Sequence, residues 1–136
     1  MAENKQLNEL TFLDDIHYFA EHTWAKVEGD NIRVGITDFA QDNLGDIIFI
    51  ELPEAGDSFD KGDEFGQAES AKTVSSLYMP IGGEIISVNE DLEGSPENVN
   101  TDPDGTGWMI IVKPNDVNEV KELLSKEGYI NFLKEA

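Results

Sequence analysis

Gly45-Asp46-Ile47-Ile48-Phe49-Ile50 is matched, position by position, by Gly83-Glu84-Ile85-Ile86-Ser87-Val88 at an offset of 38 residues. Gly56 corresponds to Gly94 at the same offset. Each copy contains a glycine turn, an acidic residue, a β-branched strand, a loop and a second glycine. Duplicated supersecondary units bury a face against each other, and two copies are too few for a solenoid. The repeat predicts a closed, pseudo-twofold pair of small antiparallel sheets. Chance similarity between two isoleucine-rich strands is the alternative.

A lysine lies between the two copies, in Glu69-Ser70-Ala71-Lys72-Thr73-Val74-Ser75-Ser76-Leu77-Tyr78-Met79-Pro80, and it is one of nine basic residues among 29 acidic ones. The small residues around Lys72 separate two strand-like runs, which predicts a hairpin with the lysine at its tip. A solvated lysine remains charged and makes a poor catalytic base. It is well placed to be acylated by another enzyme, which would remove its charge and attach a prosthetic arm. An ordinary solvated hairpin lysine is the alternative.

The pattern along the chain predicts a mainly β fold with helices added outside. Strands are expected over 32–36, 47–52, 65–70, 73–78, 85–88 and 108–113, with a long loop over 89–107. Thr37 is the predicted N-cap of a short helix that ends before Gly45. After Pro114, an amphipathic helix marked by Val117, Val120, Leu123 and Leu124 is expected to be interrupted by Gly128. Four apolar residues then form a C-terminal segment that packs on the barrel: Tyr129, Ile130, Phe132 and Leu133.

The composition indicates one domain and excludes several classes of protein. The chain has 136 residues, no cysteine and a formal net charge of −20. Residues 1–11 read as a polar leader and 12–136 as a single domain with a helical segment over 115–135. A nucleic-acid surface or an anionic membrane would require clustered basic residues. The absence of a secretory signal or a basic transit peptide predicts a cytoplasmic protein, or a mitochondrial one if a transit peptide has been removed.

Other candidate sites are weaker than Lys72. His17 and His22 are the only histidines, and no carboxylate near them has a known metal-ligand spacing, so no metal site is predicted. No serine, histidine and aspartate arrangement contains a nucleophile elbow, so no catalytic residues are predicted. Trp24, Trp108 and Met79 are interpreted as packing residues.

A set of motifs in a fixed order covers nearly the whole chain. They are Glu21-His22-Thr23-Trp24, Val34-Gly35-Ile36-Thr37-Asp38-Phe39-Ala40-Gln41, Leu44-Gly45-Asp46-Ile47, Leu52-Pro53-Glu54-Ala55-Gly56, Glu69-Ser70-Ala71-Lys72, Pro80-Ile81-Gly82-Gly83-Glu84-Ile85, Ser95-Pro96-Glu97-Asn98-Val99-Asn100 and Gly107-Trp108. With these motifs, residues 13–133 resemble the H protein of the glycine cleavage system, a family of lipoyl carriers.

The resemblance implies a flattened lipoyl/biotinyl-type β barrel-sandwich hybrid with lipoate in amide linkage to Lys72. It also implies a non-enzymatic carrier that moves the aminomethyl group of glycine between partner enzymes. The implied partners are glycine decarboxylase (P protein), aminomethyltransferase (T protein), dihydrolipoyl dehydrogenase (L protein) and a lipoate-attaching enzyme. A biotin carrier is disfavoured, because its lysine is normally flanked by methionines and this chain has Ala71 and Thr73.

The chain departs from the family pattern at three places. The family usually has an acid directly after the histidine of the first motif and another four residues after the lipoyl lysine, where this chain has Thr23 and Ser76. A tyrosine often seen before Gly-Trp is absent, since Pro103 is followed by Asp104. We expect the cleft for the arm to involve Glu21, His22, Thr23 and Ser76, with Glu21 as the replacement acid. An H-like lipoyl protein for sulfur transfer or lipoate relay is the alternative.

Overall fold

The computed structural model describes residues 9–13 and 15–135, and these form nine strands and five helices. The strands are β1 (His17–Tyr18), β2 (Thr23–Glu28), β3 (Asn31–Ile36), β4 (Ile47–Glu51), β5 (Ser58–Phe59), β6 (Glu64–Ser70), β7 (Val74–Tyr78), β8 (Gly83–Val88) and β9 (Ile110–Pro114). The helices are α1 (Asp38–Leu44), α2 (Asp91–Gly94), α3 (Asn98–Thr101), α4 (Asn118–Lys121) and α5 (Lys126–Glu135). The fold is therefore mainly β with added helices, as predicted.

Two antiparallel sheets form the body of the molecule, and they are unequal in size. The larger has six strands in the order β1-β2-β3-β9-β8-β5, and the smaller has three in the order β4-β6-β7. The main core lies between them and contains apolar side chains from both, such as Val34 and Ile85 from the larger sheet and Ile50 and Leu77 from the smaller. The arrangement is a flattened barrel-sandwich, in which the two sheets do not close into a continuous barrel.

The repeat in the sequence is reproduced in the structure. Ile47 of β4 and Ile85 of β8 are both buried in the main core, one in each sheet, as the repeat predicts. The register shifts in β4 between residues 47 and 49 and in β8 between residues 85 and 87. A bulge leaves its extra residue out of the ladder and bends the strand. The residues at the two bulges, Ile48 and Ile86, are both exposed.

Two local predictions are confirmed. Thr37 caps α1, with its side chain accepting a hydrogen bond from the Ala40 amide, and Gly45 ends the helix at a φ of 79°. Strands β6 and β7 pair as an antiparallel hairpin whose tip contains Lys72. Both depend on residues close in sequence, a side-chain cap and a tight turn, which a local pattern can identify.

Other boundaries required correction. The predicted loop over 89–107 contains the single-turn helices α2 and α3, whose central residues Leu92 and Val99 are buried. The expected last strand, 108–113, begins at Ile110 and lies inside the larger sheet between β3 and β8. Strands β1, β2 and β5 were not predicted. Trp24 and Met79 are buried as expected, whereas Trp108 is half-buried.

The C-terminal prediction was wrong about where the helix lies. Helix α4 is a single turn, and Gly128, expected as an interruption, lies inside the ten-residue α5. Glycine within a helix costs about 1 kcal/mol relative to alanine. Burial of Tyr129 and Leu133 beneath α5 outweighs that cost, because each fills a second core with Ile16, Tyr18 and Trp24. Phe132, by contrast, is exposed.

Most of the predicted leader, 1–11, lies outside the described residues. Leu10 is buried, and the Thr11 amide donates to Asp38 Oδ2 at 2.8 Å, so the end of this range contacts the domain. Within the described ranges, no helix has the length and apolar character needed to cross a bilayer.

Candidate functional site

A buried serine organises the hairpin tip that presents Lys72. The Ser70 amide donates to the Thr73 carbonyl at 2.8 Å. Its hydroxyl oxygen accepts the amides of Lys72 and Thr73 at 3.3 and 3.2 Å. A side chain that satisfies backbone amides in this way fixes a turn without a regular ladder. Lys72 is thus held on a defined backbone while its side chain is exposed. The sequence pattern by itself gives no sign of this role of Ser70.

The Lys72 side chain extends across the C-terminal end of α1. A Cβ built at Gly45 would lie 3.5 Å from Lys72 Cε and 4.0 Å from its Nζ. Gly45 follows Leu44, which lines a cleft of about 180 Å³, called here the small cleft. The amine therefore lies near Gly45, one residue along the chain from a residue that lines the cleft. The volume of the cleft is below the 300–1,000 Å³ of a typical ligand pocket, which suits the end of a tether better than a whole cofactor.

The small cleft has an apolar base and a polar rim. Its base contains Ile36, Phe39, Ala40, Leu44 and Leu77 together with the buried Thr23. Its rim contains Glu21, His22, Asn43, Ser75 and Ser76, which are partly or fully exposed. All four residues proposed from the sequence, Glu21, His22, Thr23 and Ser76, are brought together here. The apolar base comes from β3, α1 and β7, which meet only in the folded protein.

The Thr23 side chain links the two sheets through a hydrogen bond. It is buried, and its hydroxyl donates to the Tyr78 carbonyl at 3.0 Å. This bond links β2 of the larger sheet to β7 of the smaller one beside the cleft. Because its hydroxyl proton is used in this bond, Thr23 cannot donate it to a group in the cleft. Among the residues that line the small cleft, Glu21 has the one carboxylate.

His22 packs against side chains of α1 and α5. Its ring lies 4.9 Å from that of Phe39, and its Nδ1 is 2.8 Å from the Tyr129 hydroxyl of α5. Burial lowers the pKa of His22 below its usual range, while the adjacent Glu21 acts in the opposite direction. Burial also raises the pKa of Tyr129, so that phenol keeps its proton. The sequence pattern indicates only a packing role for Tyr129 and gives no sign of its contact with His22.

A second and larger cavity, of about 790 Å³, lies between the two copies of the repeat. Residues from Ile50 to Ala55 line one side, and residues from Ile86 to Glu93 line the other together with Trp108. Lys72 and the four predicted cleft residues do not line it. It is therefore a different surface from the site around the hairpin.

The third departure from the family pattern lies away from the small cleft. Pro103 is buried, and its carbonyl accepts the indole N–H of Trp24 at 3.1 Å. Burial, aided by the nearby carboxylates of Asp38, Asp102 and Asp15, raises the pKa of Asp104 to about 6. Even with these acids, no cluster of three or more possible metal ligands is found in residues 9–13 and 15–135.

Comparison with known proteins identifies a family for this chain. The family described as Glycine cleavage H-protein matches residues 16–136. The chain is 52% identical to the glycine cleavage system H protein of Bacillus licheniformis over 121 residues, 89% of this chain and 95% of the relative. It is 50% identical to that of Bacillus subtilis over 121 residues, with the same coverage of 89% and 95%.

A solved structure gives the same result for the fold. The glycine cleavage system H protein from Mycobacterium marinum matches with a TM-score of 0.82 and 38% identity. The match covers 90% of this chain and 98% of that one. The structural match thus covers nine-tenths of the chain, and the range matched by the family, 16–136, includes both copies of the repeat and the hairpin of Lys72.

Proposed function

The chain belongs to the glycine cleavage H-protein family, and on that premise we propose that it is a lipoyl carrier whose arm is attached to Lys72. The observation that carries the proposal is the position of this amine. It belongs to an exposed residue on a hairpin tip fixed by Ser70, and it lies near Gly45, the residue after Leu44 of the small cleft. The attaching enzyme can reach it, and an attached arm has a cavity to enter.

The residues around Lys72 fit an amide-linked lipoate. The amine is exposed, and the apolar base of the nearby cleft suits a hydrocarbon tether. When bound, lipoate supplies a dithiolane on a flexible tether, to which the aminomethyl group of glycine is transferred. The chain itself holds the attachment point rigid, shelters the end of the arm and presents it to other enzymes. A tether raises the effective concentration of its cargo at each docked partner.

We assign to Glu21 the role of stabilising the positive charge of the cargo. The aminomethyl group carries a cationic amine, and an opposite charge nearby favours the charged form. Glu21 is exposed at the rim of the small cleft, whereas the hydroxyl of Thr23 is already bonded to Tyr78. Ser76 adds a polar group to the lining of the same cleft.

The acidity of the chain supports docking to basic partner surfaces. A net charge of −20 accelerates encounters with cationic patches and makes them sensitive to salt. Solubility is the other role such a charge can have. The partners we propose are glycine decarboxylase, aminomethyltransferase, dihydrolipoyl dehydrogenase and a lipoate-attaching enzyme. We place the carrier in the cytoplasm beside them, since the relatives compared above are bacterial.

Replacement of Lys72 tests the attachment site. Lys72→Arg keeps the charge and the hairpin but removes the amine that is acylated. We expect intact mass to show no lipoyl increment and carrier activity to be lost, while stability stays within about 0.5 kcal/mol of the parent. Lys121→Arg, on exposed α4, is the matched control and should be lipoylated normally. Lipoylation of Lys72→Arg at one of the other seven lysines would refute the assignment.

Replacement of Glu21 tests the cargo. The lipoylated protein is loaded with glycine and its decarboxylase, and release of ammonia and formaldehyde is followed over time. Glu21→Gln should shorten the lifetime of the loaded form roughly two- to fivefold, the range for an exposed charge pair, without affecting lipoylation. Glu84→Gln removes the same charge from β8, outside the residues that line the small cleft, and should have no effect. If the parent protein cannot be loaded at all, the sulfur-transfer or relay function is favoured.

A further inference from the structure

The backbone of His22 is held in an uncommon conformation. Its φ is 71°, the one positive value at a non-glycine residue in the described part of the chain. The turn is fixed on both sides, because the His22 amide donates to Phe19 at 2.8 Å and its carbonyl accepts the Thr37 amide at 3.1 Å. Left-handed backbone is uncommon at a residue with a Cβ, and these two hydrogen bonds hold His22 in it. The direction of the imidazole is therefore set by the fold.

Three side chains from distant parts of the sequence form a hydrogen-bonded series. His22 Nδ1 is 2.8 Å from the Tyr129 hydroxyl, which is 2.9 Å from the Thr37 hydroxyl. The Thr37 oxygen also accepts the Ala40 amide at 3.1 Å, as the cap of α1. Tyr129 is completely buried, and its ring is stacked on that of Tyr18 at 4.7 Å. The series thus connects α5, α1 and the turn before β2.

The number of available protons favours one direction of hydrogen-bond donation along this series. If Thr37 donates to Tyr129, then Tyr129 donates to His22 Nδ1, and every proton has an acceptor. In the opposite direction Nδ1–H donates to Tyr129, and Tyr129 donates to Thr37. The buried Thr37 proton would then lack an acceptor, since no other is within hydrogen-bonding distance in the residues described. An unmade hydrogen bond inside a protein is costly, so the first direction is favoured.

The favoured direction determines the chemical form of His22. A ring that accepts at Nδ1 is neutral and carries its proton on Nε2. The rings packed around it are Phe39 from α1 and Tyr129 and Phe132 from α5, and of these only Tyr129 titrates. The residues of β7 that line the cleft are uncharged, and Glu21 is the one charged group at the rim. Nε2 is the ring nitrogen left for the cleft.

We infer that Tyr129 is a positioning residue that holds His22 as a neutral Nε2–H donor facing the small cleft. The inference rests on the proposed function in one respect, the identity of what enters the cleft. A neutral donor can bind the amide oxygen or a sulfur of an arm. An imidazolium would instead repel a cationic cargo in the same cavity. The C-terminal helix therefore sets the charge of a cleft to which it adds no lining residue of its own.

The direct test is the protonation of His22 in the unmodified chain, by long-range ¹H–¹⁵N spectra of histidine-labelled protein at neutral pH. We expect Nδ1 of His22 to bear no proton and Nε2 to bear one, with His17 as the internal reference. A proton on Nδ1 would overturn the inference. No variant is needed for this measurement, and it does not depend on whether Lys72 is lipoylated.

Removal of the phenol hydroxyl tests the role of Tyr129. Tyr129→Phe keeps the stacked ring but removes the donor to Nδ1, which stabilises the neutral form. The midpoint of the His22 titration should therefore rise by about 0.5 to 1 pH unit. Thr37→Ser retains the hydroxyl series and should leave that midpoint unchanged. A midpoint that falls or does not move in Tyr129→Phe would contradict the inference, since a phenol that accepts from Nδ1–H stabilises the charged form.

The last measurement addresses what enters the cleft. In lipoylated protein the Nε2 resonance of His22 should shift relative to that in unmodified protein. Loading the lipoylated protein with glycine should then lower the midpoint of the His22 titration. Lys72→Arg, treated with the same attaching enzyme, should show neither change. A lipoylated protein without any shift at His22 would overturn the cleft role. Failure of the proposed function is seen separately, as a missing lipoyl mass.

Discussion

The two copies of the repeated strand are buried and bent alike but have different neighbours. Ile47 and Ile85 are 3% and 0% exposed, and the bulge residues that follow them are 57% and 39% exposed. Strand β4, however, is the edge of the three-strand sheet and pairs with β6, which leads to the lysine hairpin. Strand β8 lies inside the six-strand sheet between β9 and β5. A repeated pattern thus reproduces burial and bending, while the position in the sheet determines the role of each copy.

The first glycines of the two copies show the same contrast. Gly45 has a φ of 79° and a ψ of −162°, a combination almost restricted to glycine, and its space is open except for Lys72. Gly83 lacks a positive φ but is crowded, because a Cβ would lie 2.3 Å from the Lys113 carbonyl oxygen and 2.6 Å from Val112 Cγ1. Gly45 is needed because its backbone conformation is almost restricted to glycine. Gly83 is needed because a side chain there would clash with its neighbours.

The largest expected effect is that of truncating the equivalent isoleucines. Ile47→Ala and Ile85→Ala should each lower the free energy of unfolding by about 2 to 5 kcal/mol, the range for a buried isoleucine that leaves a cavity. Ile85 should be at the upper end, because its strand has partners on both sides. Denaturant unfolding measures both, with exposed Ile48→Ala as the control. A cost below about 1 kcal/mol for either would break the equivalence of the copies.

Alanine at the two glycines should cost less and should separate their roles. Gly83→Ala and Gly45→Ala are each expected to lose about 1 to 3 kcal/mol, the first through overpacking and the second through backbone strain. A double-mutant cycle with Val112→Ala should show coupling to Gly83→Ala, because the smaller side chain relieves the contact with Val112 while that with the Lys113 carbonyl remains. The same cycle with Gly45→Ala should be additive. Equal coupling energies for Gly83→Ala and Gly45→Ala would contradict the distinction between overpacking at Gly83 and backbone strain at Gly45.

The smallest effect is expected at the bulges. Ile48→Thr and Ile86→Thr keep a β-branched side chain at positions that face solvent and lie outside the core. Each should change stability by no more than about 0.5 kcal/mol. A much larger loss for one of them, measured by thermal unfolding, would indicate that its bulge packs against part of the fold and that the two bends are not equivalent.

Local signals account for what the sequence predicted well. Thr37 and Gly45 delimit α1 through contacts within a few residues, and the hairpin of Lys72 has its own turn chemistry. Strand β2 was missed although Trp24 was correctly interpreted as a core residue. The C-terminal helix was misplaced because burial of Tyr129 and Leu133 outweighs the helix-breaking tendency of Gly128.

The sequence by itself determined the duplicated strand, the exposed lysine between its copies and the family. These features can be recognised from adjacent residues or from a fixed offset between two similar segments. Only the tertiary structure determined the contents of the small cleft, the bond from Thr23 to Tyr78 and the contact of His22 with Tyr129, 107 residues away. Such contacts depend on how the sheets and α5 pack together. No local pattern specifies them, because the free energy that holds these side chains together comes from surfaces buried by the whole fold.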